Sequence, residues 1–189
     1  LLCFGPSKAA AQLEGSKAFT KDFLQEHKIP TASYQNFTNV TEALAYVEQL
    51  FDSSSSSLDT PRVVVKASGL ASGKGVLLPL GKEETIQAVQ QIMLQKQFGS
   101  AGDTCAIEEY LEGPEASCLA FCDGMTAKLM PAAQDHKRAL DNDEGLNTGG
   151  MGATAPAPCV TPILHQQIEQ MCIQTVQQMA QQGTPYIGI

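Results

Sequence analysis

In the run Val65-Lys66-Ala67-Ser68-Gly69-Leu70-Ala71-Ser72-Gly73-Lys74-Gly75-Val76, an apolar strand delivers a lysine, a turn of small residues follows, and a second strand leaves. Arg62 to Ala67 carries the β-branched Val63-Val64-Val65, and Gly75 to Leu80 reads as the return strand, so the whole predicts a glycine-rich hairpin. Glycine lets backbone N–H groups approach phosphate oxygens closely, and lysine adds a positive point charge without a fixed geometry. The P-loop pattern does not fit. It needs four residues between its first glycine and its Gly-Lys pair, then Ser or Thr. Here Gly69 and Gly73 enclose Leu70, Ala71 and Ser72 alone, and Gly75 stands where the hydroxyl residue belongs. The dinucleotide pattern G-x-G-x-x-G fails too, because Leu78 takes the place of its last glycine. What remains is a hairpin able to fold over a phosphate, with a plain surface hairpin as the competing reading.

Two further features lie downstream. Ile107-Glu108-Glu109-Tyr110-Leu111-Glu112-Gly113-Pro114-Glu115 is an apolar strand ending in carboxylates, with another carboxylate after a turn. An adenine needs an apolar slot with backbone hydrogen bonds at its edge, and a ribose needs an acceptor for its hydroxyls. A strand end followed by a spaced glutamate supplies both, although solvated surface glutamates explain the same letters. Ala133-Gln134-Asp135-His136-Lys137-Arg138 is followed by Asn147-Thr148-Gly149-Gly150-Met151-Gly152. Adjacent Lys and Arg can hold a phosphate, the glycines permit close backbone approach, and Asp135 can orient a cationic amine. A solvated turn competes with that reading.

Working outward, Leu1 to Phe4 reads as the end of a strand, and Ser7 as the N-cap of a short helix from Lys8 to Leu13. A second helix is expected from Ser16 to about His27, with Phe19, Phe23 and Leu24 on one face. A third is expected from Thr41 to about Leu50, and a fourth from Lys82 to Met93. The Ser53 to Ser57 run reads as a solvated loop. Strands are expected at Cys105 to Glu109, Ala116 to Phe121 and Thr126 to Met130, the last two joined by Asp123-Gly124. Gln134 to Pro158 reads as a long loop, and a structureless stretch of that length is usually functional. Thr161-Pro162 starts a final helix, with proline at its first position.

Composition narrows the classes. Of 189 residues, 43% are hydrophobic and 17% charged, an ordinary globular balance. A net charge of −8 argues against a nucleic-acid surface but not against a local basic pocket for a small anion. No apolar run nears the ~20 residues that span a bilayer, so no membrane partner is expected. The six cysteines form no C-x-x-C pair, which predicts reduced core thiols of a cytoplasmic protein rather than a zinc site. Neither an initiating Met nor a leader begins the chain, and it stops in an apolar run, so a segment of a longer protein is expected.

The order of these signals resembles the ATP-grasp superfamily: a lysine on a helix, a lysine before a glycine-rich hairpin, then a strand ending Glu-Glu-aromatic-Leu with a later Glu. Phe4 to Lys8, Glu14 to Lys17, Lys66 to Val76, Ala133 to Arg138 and Asn147 to Gly152 resemble the phosphoribosylamine–glycine ligase family within it. So do Ala155 to Pro158 and Gly183 to Tyr186. The likeness is weakest around Asn36 to Pro61, where the serine run looks inserted.

The resemblance implies an α+β ATP-grasp fold, incomplete, in residues 16–189, with a lid subdomain at about 30–111 and with residues 1–15 as the end of a preceding domain and linker. It implies ATP-dependent joining of glycine to 5-phosphoribosylamine. ATP would meet Lys17, Lys66, Ser68, Gly69, Gly73, Lys74, Gly75, Glu108, Glu109, Tyr110, Leu111 and Glu115. The substrates would meet Asp135, His136, Lys137, Arg138, Asn147, Thr148, Gly149, Gly150 and Met151. Magnesium or manganese would be held by residues beyond Ile189, so this stretch alone is expected to be inactive. Fusion to other purine-pathway enzymes is left open. The rivals are another ATP-grasp carboxylate–amine ligase and a non-catalytic ATP-binding module.

Overall fold

The computed structural model describes residues 3–53, 61–71, 74–141 and 144–189, without the side chains of Leu146 and Asn147. Leu1, Leu2, Ser54 to Ser57, Ser72 and Gly73, on which some of the expectations above fall, lie outside the described residues. The chain forms two compact units: Gln12–Leu111, and Leu1–Ala11 together with Glu112–Ile189.

The unit Gln12–Leu111 is built on an antiparallel sheet in the order β1-β4-β2-β3, from β1 (Tyr34–Phe37), β2 (Val63–Ala67), β3 (Val76–Leu77) and β4 (Cys105–Glu109). Alternation along the strands gives the sheet two different faces. Val63, Val65, Ala67, Cys105 and Ile107 join the core formed with α3 (Val40–Asp52) and α4 (Lys82–Met93), where Val47, Val89 and Ile92 are fully buried. Lys66 and Glu108, at alternate positions along β2 and β4, point the other way, toward α2 (Lys17–Glu26). A short α1 (Gln12–Gly15) precedes α2.

The predicted helices at 41–50 and 82–93 are present, the first starting at Val40 because Asn39 caps it through the Thr41 and Glu42 N–H groups. The expected helix from Lys8 to Leu13 is instead a turn at Lys8 to Ala11 leading into α1. The expected return strand shrinks to Val76–Leu77, since Pro79 offers no N–H to a ladder and Leu78 and Leu80 are exposed. Strand β1 was not foreseen. Tyr34-Gln35-Asn36-Phe37 lacks an apolar alternation and is held by its pairing with β4.

In the other unit β5 (Ala120–Asp123), β6 (Ala127–Leu129) and β11 (Ile187–Gly188) form a sheet in the order β11-β5-β6. Helix α5 (Pro162–Gln181) packs on it through Val176, Ile168 and Cys172. Thr161 caps α5, with proline in its first turn as expected. The β5–β6 turn is closed by Asp123, whose Oδ1 accepts the Met125 and Thr126 N–H groups, while Gly124 takes a φ of +96°. The strand expected at Ala116 to Phe121 is displaced: Ser117 pairs with Ala133 in an isolated bridge, and regular pairing starts at Ala120.

The long polar segment from Gln134 is not the loop that its composition suggested. It folds back on itself as β7 (Gln134–Asp135), β8 (Arg138–Leu140), β9 (Glu144–Asn147) and β10 (Ala153–Thr154), with β7 against β10 and β8 against β9. His136 bridges the two ladders, donating its N–H to Gly152 O and accepting from Met151 N–H. Pairing between main chains, which needs no apolar side chains, explains why the sequence looked unstructured.

Candidate functional site

The first cluster lies on the α2 face of the four-stranded sheet. Ser16 caps α2 by accepting the Phe19 N–H. Two other first-turn donors are caught by a residue of the hairpin turn: Lys17 N–H reaches Ser68 O at 2.8 Å, and Ala18 N–H reaches Ser68 Oγ at 3.0 Å. The Ser16 and Ser68 hydroxyls also bond to each other at 3.2 Å. The turn is thus fastened to the helix end, and this brings Lys17 and Lys66, far apart in sequence, into one region. Lys17 occupies the first helical position, where a positive charge opposes the helix dipole. Its ammonium reaches Gly69 O at 3.4 Å.

At the centre of that face Glu108 is 3% exposed and receives Lys66 at 2.9 Å and Lys21 at 2.8 Å, both on Oε2. Its Oε1 is buried without a hydrogen-bond partner among the described residues. Glu108 therefore does not end the strand as a solvated carboxylate; it is the buried anion of a lysine cluster. Lys21 escaped the sequence reading. Its signal was its place one turn after Lys17, since like charges at i and i+4 weaken a helix unless an outside carboxylate compensates. Glu109 is exposed and accepts the Ser33 N–H, which holds its carboxyl below the usual range. Tyr110 stacks with the Arg62 guanidinium, 4.0 Å from its ring centre, and Leu111 is exposed.

The glycine-rich turn is the stretch whose backbone N–H groups the sequence offers to phosphate. In the structure the N–H groups of Ala67, Ser68, Gly69 and Lys74 bond to Gly75 O, Thr104 O, Ala101 O and Ala71 O. A Cβ on Gly69 would lie 2.7 Å from Ala101 Cα, and one on Gly75 would lie 2.7 Å from Ala71 Cβ. Glycine is required there by close packing within the unit. Lys74 is exposed.

The second cluster belongs to the other unit. The fold-back places the Asp135 to Arg138 strand beside Asn147 to Met151, as Arg138 pairs with Asn147 and Thr148 N–H reaches Lys137 O at 2.6 Å. Two motifs separated in the sequence are thus side by side. Lys137 binds Glu115 at 3.1 Å, and both line an open pocket of about 220 Å³ with Asp135, Ala116 and Ser117. Glu115, which the resemblance assigns to the ribose of ATP, therefore neighbours the residues assigned to the substrates. His136 Nε2 lies 3.2 Å from Thr154 Oγ1, and Arg138 donates to Gly145 O at 2.8 Å. Thr148 Oγ1 accepts the Gly150 N–H, and Gly149 and Met151 are exposed. Among the described residues no three His, Cys, Asp or Glu side chains gather as a metal's ligands.

A family model described as phosphoribosylglycinamide synthetase, ATP-grasp (A) domain, matches residues 15–189. The chain belongs to the phosphoribosylglycinamide synthetase ATP-grasp family. Within that family it is 53% identical to the human trifunctional purine biosynthetic protein adenosine-3, over 99% of this chain and 18% of that protein. It is 51% identical to phosphoribosylamine–glycine ligase of Haemophilus influenzae, over 100% of this chain and 42% of the ligase. The chain therefore spans less than half the length of these relatives. The crystal structure of phosphoribosylamine–glycine ligase from Thermotoga maritima superposes with a TM-score of 0.84 at 34% identity, covering 98% of this chain and 45% of that one. D-alanyl-alanine synthetase A from Vibrio cholerae shares the fold, with a TM-score of 0.72 at 13% identity, 97% of this chain and 52% of that one being covered. The α+β ATP-grasp fold expected from the sequence is the one found.

Proposed function

We propose that this chain is the nucleotide- and substrate-binding part of a phosphoribosylamine–glycine ligase. Glycine's carboxylate would attack the terminal phosphorus of ATP, releasing ADP and leaving a glycyl phosphate. The amine of 5-phosphoribosylamine would then attack the carbonyl and expel phosphate, giving glycinamide ribonucleotide. The observation that carries the reading is identity above 50%, along essentially the whole chain, to proteins named for this reaction and this pathway.

The clusters supply fitting chemistry. Phosphoryl transfer from ATP is helped chiefly by positive charge placed on the phosphate oxygens. Lys17 and Lys66 are the lysines assigned to that task, and Lys17 stands at a helix end where it does not serve helix stability. The strand end from Glu108 to Leu111 is assigned to line the adenine slot. The fold-back hairpin, with Asp135, Lys137 and Arg138, is assigned to glycine and to the phosphate of phosphoribosylamine. Glu115 is a candidate for the ribose through its carboxylate, which in the structure pairs with Lys137. A magnesium or manganese ion would neutralise charge on the transferring phosphoryl group, and among the described residues no three His, Cys, Asp or Glu side chains gather to hold one. All six cysteines are free thiols, in keeping with a cytoplasmic enzyme. Relatives named as trifunctional and bifunctional proteins make fusion to other purine-pathway activities a reasonable arrangement for the parent.

The test is ADP release by the full-length protein with ATP and magnesium, adding glycine and phosphoribosylamine separately and together. Release requiring both is expected. ATP binding without ADP release under any combination would point instead to a non-catalytic nucleotide module.

A further inference from the structure

The buried carboxylate of Glu108 carries more positive charge than it can neutralise. Lys21 and Lys66 both end on its Oε2, at 2.8 and 2.9 Å, and two cations so placed repel one another. They are not held alike. Lys21 is 12% exposed, donates also to Thr31 Oγ1 at 2.9 Å and Ala32 O at 3.3 Å, and lies 5.6 Å from the centre of the Tyr34 ring. Lys66 is 25% exposed, and among the described residues its ammonium bonds to Glu108. One lysine is therefore anchored from several sides, while the other is tethered to the carboxylate.

Were Lys66 the sole counter-ion, any movement of its ammonium toward a ligand would strand a buried negative charge, which is strongly unfavourable. With Lys21 in place, the departure of Lys66 leaves a neutral pair. We infer that Lys21 is a positioning residue: it is the standing counter-ion of Glu108, and so releases Lys66 to bind the phosphate oxygens of a nucleotide. This rests on the reading of Lys66 as a phosphate ligand.

The experiment measures ATP dissociation constants, by calorimetry with magnesium present, in variants of the full-length protein. Lys21→Met is expected to weaken ATP binding about tenfold, because Lys66 becomes the only neutralising partner of a buried carboxylate. Lys21→Arg keeps the charge and should stay within about twofold of the parent. In a Glu108→Gln background the neutral amide needs no counter-ion, so adding Lys21→Met should change affinity by less than about twofold. A merely structural lysine would lower the melting temperature and cost the same affinity in either background; that result would overturn the inference. So would unchanged ATP affinity in Lys21→Met. Should Lys21→Met not fold, Thr31→Val removes one anchor of Lys21, and about threefold weaker ATP binding is expected from that lost hydrogen bond; no change would overturn the inference. Lys66→Ala separates the two ideas. If it leaves ATP affinity unchanged, the phosphate reading falls and Lys21 with it. If it weakens ATP binding while the Lys21 variants do not, the Lys21 role alone fails.

Discussion

Ser68 is expected to contact ATP, and in the structure its hydroxyl is bonded at the end of α2. Replacing it with alanine tests which description holds. Ser68→Ala deletes the acceptor of the Ala18 N–H, bonded at 3.0 Å, and the 3.2 Å contact with the Ser16 hydroxyl, but leaves Ser68 O on the Lys17 N–H. Loss of a capping acceptor costs about 0.5–2 kcal/mol, and a buried donor left without a partner about 1–3 kcal/mol. Ser68 is 5% exposed, so water replaces the hydroxyl poorly, and a loss of about 1.5 kcal/mol is expected. For a chain of this length that corresponds to a fall in melting temperature of about 3–6 °C. Thermal unfolding followed by far-UV circular dichroism reads it directly. Ser16→Ala alone removes the Phe19 acceptor, and because the two hydroxyls share a bond the double variant should lose less than the two singles together. A melting temperature within about 1 °C of the parent, with ATP binding weakened tenfold, would refute the reasoning and return Ser68 to the ligand.

Gly69→Ala should destabilise by about 1–3 kcal/mol, because the new methyl meets Ala101 Cα and Cβ at 2.7 and 2.9 Å. Urea midpoints check this, and Ala101→Gly added to it should recover part of the loss; no recovery would mean that the crowding is not at Ala101. Arg138→Ala should raise the requirement for phosphoribosylamine more than that for ATP in steady-state kinetics of the full-length protein, and equal effects would place Arg138 elsewhere. Acid should weaken the fold. Glu109, Asp123 and Glu169 have carboxyls held below their usual range, by the Ser33 N–H, by the Thr126 and Met125 N–H groups, and by the Lys128 ammonium respectively. Folded-state values below the unfolded ones mean that this stability is present at neutral pH and lost as pH falls below about 4. Asp123→Asn keeps an acceptor oxygen but cannot titrate, so its urea midpoint should fall less steeply with acid; an identical slope would remove Asp123 from the account.

Much of the architecture could be read from local pattern. The helices at Val40–Asp52, Lys82–Met93 and Pro162–Gln181 follow from apolar residues at helical spacing and, for the last, from the Thr161-Pro162 start, whereas the Asn39 cap of the first emerged only in the structure. Val63-Val64-Val65 and Cys105 to Glu109 read as strands because branched and apolar residues suit a buried sheet. The order of lysines, glycines and glutamates resembles that of the ATP-grasp superfamily, and that resemblance pointed to the fold.

Partners were not legible. Strand β1 is polar and exists through main-chain pairing with β4, a contact across many residues of intervening chain. The hairpin from Gln134 to Thr154 looked like a loop for the same reason, since backbone hydrogen bonds leave no trace in side-chain pattern. Glu108 differs from Glu109 by one step, and that step turns it to the opposite face of the sheet. Which face is closed by α2, and that Lys21 waits there, follows only from the folded chain. The sequence determined the amphipathic helices and the apolar strands, because their pattern is local; the tertiary structure decided the polar strands and which charges meet, because burial and pairing are properties of neighbours distant in the chain.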